Sequence, residues 1–342
     1  MQEGIRTPVY RHKGSYCDEV SIKISGSVIR MSGNPSRWGR VENLIGFRDI
    51  DACIHCFNSI LYRLNLPQFT RCTEVYYRQD KDGSRVSRFS NGAIIRRLDI
   101  TTNKCVGKGN ERTFLRGLST QRYRNSIARL HTNGLTVDWL SQKGNANLIY
   151  PSVYIKADEM MLHSNEKLKR RFGENSNEYQ YFKRILSYCE SNGVVRFEQK
   201  LKSRFLQREK MCFWGYDDFT PLNQLQEDFL TMDKKLRVNK MTRQGIAEEL
   251  FLGGFVKSMR SARVSADYAM RWAEGEDMTE LPVRTFKRHR AILRKIGLDI
   301  ANLCDMDKFQ ATKVISCEQI IVRPFKAPVD YVYPSNLRIV NY

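Results

Sequence analysis

Residues 192–206 read NGVVRFEQKLKSRFL. Successive side chains of a strand point to opposite faces. Over 194–201, Val195, Phe197 and Leu201 therefore face one way, and Arg196, Glu198 and Lys200 the other. Apolar residues at helical spacing precede this strand over 177–192, and Gly193 suits the end of that helix. A strand with one apolar and one charged face belongs in an antiparallel sheet covered on one side.

Two upstream stretches share this design. In 94–101, Ile94, Arg96, Leu98 and Ile100 oppose Ile95, Arg97, Asp99 and Thr101. In 148–156, Ile149, Val153 and Ile155 oppose Tyr150, Ser152, Tyr154 and Lys156. Placed in one sheet, the three polar faces merge into a surface of carboxylates, cations and tyrosines. That set suits phosphodiester transfer: carboxylates hold a hard cation such as Mg²⁺ or Mn²⁺, a tyrosine oxygen attacks phosphorus, and Lys or Arg offsets the developing charge. Alternation alone fits an ordinary solvated sheet face better.

Further out, 19–31 predicts two short strands around Gly26, and 49–64 a helix with one apolar face. Strands are predicted over 72–78 and 94–102 with a turn at Asp80–Gly83 between them, then a helix over 110–118 and strands over 134–140 and 147–156. After residue 211 helical patterns dominate to about 303, and 306–342 returns to short apolar runs with Pro324, Pro328 and Pro334. The fold class is α+β: an antiparallel-sheet domain over 1–210, a mainly helical domain over 211–305, and a C-terminal tail with short strands over 306–342.

Among the 342 residues, 57 Lys+Arg stand against 37 Asp+Glu, a formal charge of +20. That excess favours a polyanionic partner, nucleic acid or an anionic membrane surface. The sequence has no apolar run long enough to span a bilayer and no secretory leader pattern. Its nine Cys are scattered, with only Cys53 and Cys56 close together, so free thiols in a reducing cytoplasm are expected. A zinc site at that pair lacks a second ligand pair of suitable spacing.

Two segments are candidates for DNA contact. Residues 104–146 hold eight Lys/Arg, among them Arg122 and Arg124, interleaved with Phe114, Tyr123 and Trp139, which suits base stacking. An ordinary solvated surface fits the same composition. Residues 265–297 read as a helix-turn-helix, with Ser265 capping a helix that stops at Gly275 and Pro282 opening a second one that ends at Gly297. Arg284, Lys287, Arg288 and Arg290 on the second helix would reach a major groove; a basic helix packed on the domain is the alternative. Residues 167–171, KLKRR, read as a solvated helix face.

The wording of these segments resembles the gene II/gene X replication initiators of filamentous bacteriophages. NGVVRFEQKLKSRFL looks like that family's signature. RRLDITT (96–102) is similar to its Arg-(Ile/Leu)-Asp strand, VYIKADE (153–159) to its Tyr-x-Lys-x-x-Glu segment, and GNPSRWGRVENLIGF (33–47) to its N-terminal region. Order and spacing agree over roughly residues 20–300. The resemblance implies a rolling-circle nickase domain followed by a DNA-binding domain, acting at a phage or plasmid origin in the bacterial host cytoplasm. It implies a site-specific cut through a covalent 5′-phosphotyrosine with a free 3′-OH, and later rejoining. By position, Tyr154 is the nucleophile, with Tyr150 on the same face as the fallback. Asp99, Glu159 and Glu198 are then metal ligands for Mg²⁺ or Mn²⁺, and Lys156, Arg97, Arg196 and Lys200 phosphate contacts or stabilisers. Partners are duplex origin DNA, single-stranded DNA, a host helicase and a polymerase, with no membrane.

Two departures stand out. No two of the five His are two residues apart, so a His-hydrophobic-His metal pair is missing and the metal role falls on carboxylates. Relatives start with an extra strand, where MQEGIRTPVYRHKGSY reads as irregular. The alternative function is a non-catalytic DNA-binding regulator of replication or transcription with the same fold. The joint presence of Tyr154, Lys156, Asp99 and Glu198 argues for the enzyme, because a regulator needs none of them. A transposase or mobilisation relaxase using this chemistry on other DNA is a third reading.

Overall fold

The computed structural model describes residues 9–13, 19–79, 82–83, 86–233, 243–296, 298–301 and 320–334. The first three strands, β1 (Val9–Lys13), β2 (Glu19–Ser25) and β3 (Val28–Ser32), form one antiparallel sheet. The start of the chain therefore does contain a strand. Its short VYRHK run, directly behind Pro8, carries too little alternation to announce itself. The β2–β3 turn uses Gly26 at φ 56°, a left-handed conformation that glycine adopts without a Cβ clash.

Helix α1 (Ile50–Arg63) starts at Asp49, whose side chain accepts from the Ala52 N–H at 2.6 Å. It buries Ile54, Ile60 and Leu61, the last two with Val20 and Ile22 of β2. Strands β4 (Val75–Gln79) and β5 (Val86–Ser90) make a separate hairpin. Asp80 and Lys81 of the predicted turn between them lie outside the described residues.

The central sheet uses β6 (Arg97–Cys105), β7 (Ile127–Leu130), β8 (Thr136–Leu140), β9 (Ile149–Ile155), β10 (Val194–Lys202) and β11 (Arg323–Pro324). Its order is β11-β6-β10-β9-β8-β7, and every neighbouring pair is antiparallel. The two-residue β11 belongs to the tail, which thus returns to the sheet's edge.

Helix α2 (Glu111–Ser119) lies between β6 and β7 in the chain, and α3 (Lys156–Met160), a π-turn over Met161–Asn165, α4 (Glu166–Phe172) and α5 (Asn177–Asn192) separate β9 from β10. α5 matches its predicted bounds because both ends are written locally. Ser176 caps the Tyr179 N–H at 3.1 Å, and Gly193 ends the helix at φ 58°. After β10 come α6 (Ser203–Arg208) and α7 (Pro221–Leu230).

One core lies on the apolar face of the sheet, where Val153, Ile155, Val195 and Phe197 meet Phe114, Leu115 and Leu118 of α2 and Phe229 and Leu230 of α7. α7, read from sequence as part of the helical segment, is thus built into the sheet unit. Phe114, Tyr123 and Trp139 are buried in this core. The expectation that they stack bases is corrected: their large apolar areas close the sheet, and the surrounding Lys/Arg disguise an apolar spacing.

Helices α8 (Arg243–Leu252), α9 (Met259–Ala273) and α10 (Val283–Leu293) enclose their own core around Ala262, Ala266, Ala269, Trp272 and Leu293. α9 begins at Met259 rather than Ala266, because Ser258, not Ser265, is its cap. Ser265 lies inside the helix, buried and hydrogen-bonded to His289 Nδ1 at 3.0 Å. Gly297, the expected end of α10, lies outside the described residues, as does most of 306–342.

Candidate active site

The pairing register settles which side chains share the polar face. Asp99 pairs with Lys200 and Lys200 with Tyr150. Thr101 pairs with Glu198, Glu198 with Ser152 and Ser152 with Asp138. Asn103 pairs with Arg196, Arg196 with Tyr154 and Tyr154 with Thr136. Three cross-strand rows therefore stand side by side on four strands. The faces predicted over 97–101, 149–155 and 194–201 are the faces observed. Upstream, β6 starts only at Arg97, Ile94 is exposed, and Ile95 packs with Leu98 and Ile100 rather than opposite them; β9 ends at Ile155, with Lys156 opening α3.

At one end of the face the segment 42–45 forms a roof. Arg196 is buried and donates to Asn103 Oδ1 at 2.9 Å and to the carbonyls of Asn43 at 2.7 Å and Leu44 at 2.6 Å. The tail fastens the roof, since the Ile45 N–H donates to Tyr331 Oη at 2.9 Å. Lys156 is fully buried and donates to Asn43 Oδ1 at 2.8 Å and Glu159 Oε2 at 2.5 Å. Burial, with Arg196 nearby, pulls its ammonium down to about 8 against the pull of Glu159. Its ammonium is enclosed by Asn43 and Glu159 and has no exposed surface on the polar face.

Tyr154 lies under this roof and donates to Glu198 Oε2 at 2.7 Å. Burial raises its phenol well above the ordinary value; Arg196 opposes this rise and Glu198 and Glu159 add to it. The phenol is therefore neutral near pH 7, with a carboxylate in place to take its proton. Glu198 also pairs with Lys200 at 3.3 Å.

Toward the open end stands a second tyrosine-carboxylate pair. Tyr150 donates to Asp138 Oδ2 at 2.7 Å. The Lys200 ammonium lies 5.6 Å from the centre of the Tyr150 ring. Asp138 is fully buried and is also held by Arg129 at 3.1 and 2.8 Å and by His131 at 2.9 Å. Burial and the hydrogen bond to Asp138 push the Tyr150 phenol up to about 12. Sequence reading misses Asp138, Arg129 and His131 as site residues. The only signal is Asp138 lying between the apolar Val137 and Trp139 of a predicted strand. Arg97, which is exposed, forms a two-bond pair with Asp99 at 3.0 and 2.9 Å. Arg97, Arg129, His131 and Lys200 together give this end a basic rim.

The three carboxylates expected to share a metal have separate cationic partners: Asp99 with Arg97, Glu159 with Lys156, and Glu198 with Lys200. Among the described residues no group of three or more His, Cys, Asp or Glu is arranged to hold a metal ion. The predicted three-carboxylate ligand set does not fit this arrangement. Cys53 and Cys56 are free thiols raised by burial, which leaves the zinc reading without support.

In the helical unit Arg284, Lys287 and Arg288 are exposed along α10. Arg290 and Arg122 instead meet at the buried Asp299, with Arg290 Nε 2.7 Å and Arg122 Nε 3.2 Å from its carboxylate. These two arginines, read from sequence as DNA contacts, tie the helical unit to the sheet unit. Arg124, two positions along from Arg122, is exposed. No helix among the described residues is long and apolar enough to cross a membrane.

Comparison with known proteins finds two families along the chain. The N-terminal family of the phage replication-associated protein, the gene II product, matches residues 3–228, and the C-terminal family of the same protein matches 250–337. The chain is 51% identical over 322 residues to the corresponding replication-associated protein of Escherichia phage If1, covering 94% of this chain and 99% of that protein. No solved structure matches.

Proposed function

The chain belongs to the phage replication-associated protein family of the gene II type, and from that premise we propose that it initiates rolling-circle replication of a phage genome by nicking and rejoining one DNA strand. The observation that carries this reading is the Tyr154–Glu198 hydrogen bond of 2.7 Å on a face flanked by Arg196 and Lys200. Glu198 takes the phenolic proton as Tyr154 Oη bonds to phosphorus. The P–O3′ bond breaks, the 3′-oxygen leaves and takes a proton from water to become a free 3′-OH, and the 5′-phosphate stays on Tyr154. Lys200 and Arg129, at the open end, lie where an incoming phosphate meets positive charge. Rejoining is the reverse: a 3′-OH gives its proton to water as it attacks the phosphotyrosine, and Glu198 returns the proton to Tyr154.

The freed 3′-OH is the primer for a polymerase, and a host helicase separates the strands ahead of it. Arg284, Lys287 and Arg288 on α10, with Arg124, contact duplex origin DNA. No step is routed through a metal; the requirement for Mg²⁺ or Mn²⁺ is decided by a chelator in the same assay. Tyr150 is the competing nucleophile, favoured by its place at the open end and its bond to Asp138. The test is relaxation of supercoiled DNA carrying the cognate intergenic region by wild type, Tyr154→Phe and Tyr150→Phe. Loss in Tyr154→Phe alone is expected. Loss in Tyr150→Phe alone moves the nucleophile. Tight duplex binding by wild type without any relaxation supports the regulator.

A further inference from the structure

The β4–β5 hairpin is left unused by this chemistry. It is a two-stranded sheet joined to neither of the others. Its neck is built to a fixed geometry. A Cβ on Gly92 would overlap the backbone of Arg71 and Cys72, so only glycine lets the two segments approach. Asn91 Oδ1 accepts from the Thr73 and Glu74 N–H groups at 3.0 and 3.1 Å. Arg88 reaches Asp217 at 2.6 Å, and Asp217 in turn accepts from the Cys212 and Phe213 N–H groups, both at 3.0 Å. The hairpin is thus an anchored arm held through the face that carries Arg88.

The register places other residues on its free face. Tyr76 pairs with Phe89 and Arg78 with Ser87, so Tyr76, Arg78 and Phe89 stand together there. Tyr76 is 52% exposed and Phe89 42%, and the Arg78 guanidinium lies 5.2 Å from the Phe89 ring centre. Tyr77, 66% exposed, pairs with Arg88 and stands on the opposite face, outside this cluster. A cross-strand aromatic pair strengthens a hairpin, but that role is served by contact between the rings and gains nothing from open ring faces. A clustered exposed apolar surface marks a binding site. On a chain of charge +20 the complementary partner is a polyanion, and unpaired bases are the polyanion's own flat apolar groups.

We propose that the free face of the β4–β5 hairpin stacks the unpaired bases of single-stranded DNA on Tyr76 and Phe89, with Arg78 beside the backbone. This rests on DNA being the substrate, and not on the tyrosine chemistry. The experiment is fluorescence anisotropy with three labelled probes: a short oligothymidylate, an abasic strand of the same length, and a duplex. The proteins are wild type, Tyr76→Ala/Phe89→Ala and Tyr76→Phe/Phe89→Tyr. Base stacking on one aromatic is worth about tenfold or more in affinity. The double alanine variant is expected to lose at least about tenfold on oligothymidylate and to bind the abasic strand and the duplex as wild type does. The conservative pair restores binding, and unchanged binding of the abasic strand and the duplex by the alanine variant is what a merely structural role for the rings would not explain. Binding is read without any cleavage step, so failure of the nicking reading leaves this result standing. Equal oligothymidylate binding by wild type and the alanine variant overturns the proposal, as does an equal loss on the abasic strand. A wild-type dimer in sedimentation that the alanine variant cannot form, with oligothymidylate binding unchanged, overturns it in favour of self-association.

Discussion

Replacing Asp138 by Asn tests whether the open end of the site is organised by one buried carboxylate. In the wild type that group accepts two bonds from Arg129 and one each from His131 and Tyr150. Asn keeps the shape and one acceptor oxygen but turns the other position into a donor, so either the one bond on Oδ1 or the three on Oδ2 are lost, and those that remain lose the carboxylate charge. Such bonds are worth about 1.5–3 kcal/mol each when buried. Arg129 and His131 are partly exposed and recover water, which leaves a net cost of about 2–3 kcal/mol. For a unit of this size that is a fall of roughly 5–10 °C in melting temperature at about pH 7. The pH dependence has a definite sign. Burial would raise the Asp138 carboxyl, but the hydrogen bonds from Arg129, His131 and Tyr150 outweigh it and hold it below the ordinary value. A depressed folded value adds stability that is complete above the unfolded pKa of about 4 and disappears as pH falls through the folded one. Thermal unfolding of wild type and Asp138→Asn between about pH 7 and pH 3 should therefore show a gap that closes on acidification. A gap that is absent at neutral pH, or that widens toward acid, would refute the assignment of Asp138 as the organising charge.

Three further outcomes follow from the same geometry. Glu198→Gln keeps a hydrogen-bond acceptor for Tyr154 but removes the base, so single-turnover nicking should fall by about 10²–10⁴-fold with origin binding unchanged. The triple change Arg284→Ala, Lys287→Ala, Arg288→Ala should weaken duplex binding and flatten the plot of log affinity against log salt by about 0.9 for each phosphate no longer neutralised, read from binding titrations at several salt concentrations. Gly193→Ala should destabilise the sheet unit by more than the usual 1 kcal/mol or so for a helix end, measured by urea unfolding, because the residue sits at φ 58° and its Cβ would overlap the Gly107 carbonyl.

The segments legible in the sequence are those whose signals are local. β10 and α5 have their predicted bounds because alternation, a serine cap and a left-handed glycine all lie within a few residues of one another. The shared polar face is legible as three separate strands, and their register supplies what sequence spacing lacks, namely which residue stands beside which. Asp138, Arg129 and His131 stay hidden because they come from β7, β8 and the turn between them, and only the pairing of the two strands brings Arg129 opposite Asp138. The same holds for Asn43, whose carbonyl meets Arg196 across 153 positions of sequence. In the helical unit, Ser258 and Ser265 are equivalent as caps by composition. Only the burial of Ala262 on the intervening turn makes Ser258 the start of α9.

The central claim is that Tyr154 becomes covalently linked to DNA. The most direct measurement is to incubate wild type with an oligonucleotide spanning the nick site and labelled on the 3′ side of the cut, then resolve the denatured products and map the adduct by peptide mass spectrometry. The account predicts a protein-linked labelled strand carrying a phosphodiester on Tyr154, absent from Tyr154→Phe. An adduct on Tyr150, or cleavage that leaves a free 5′-phosphate and no protein-linked strand, would contradict it.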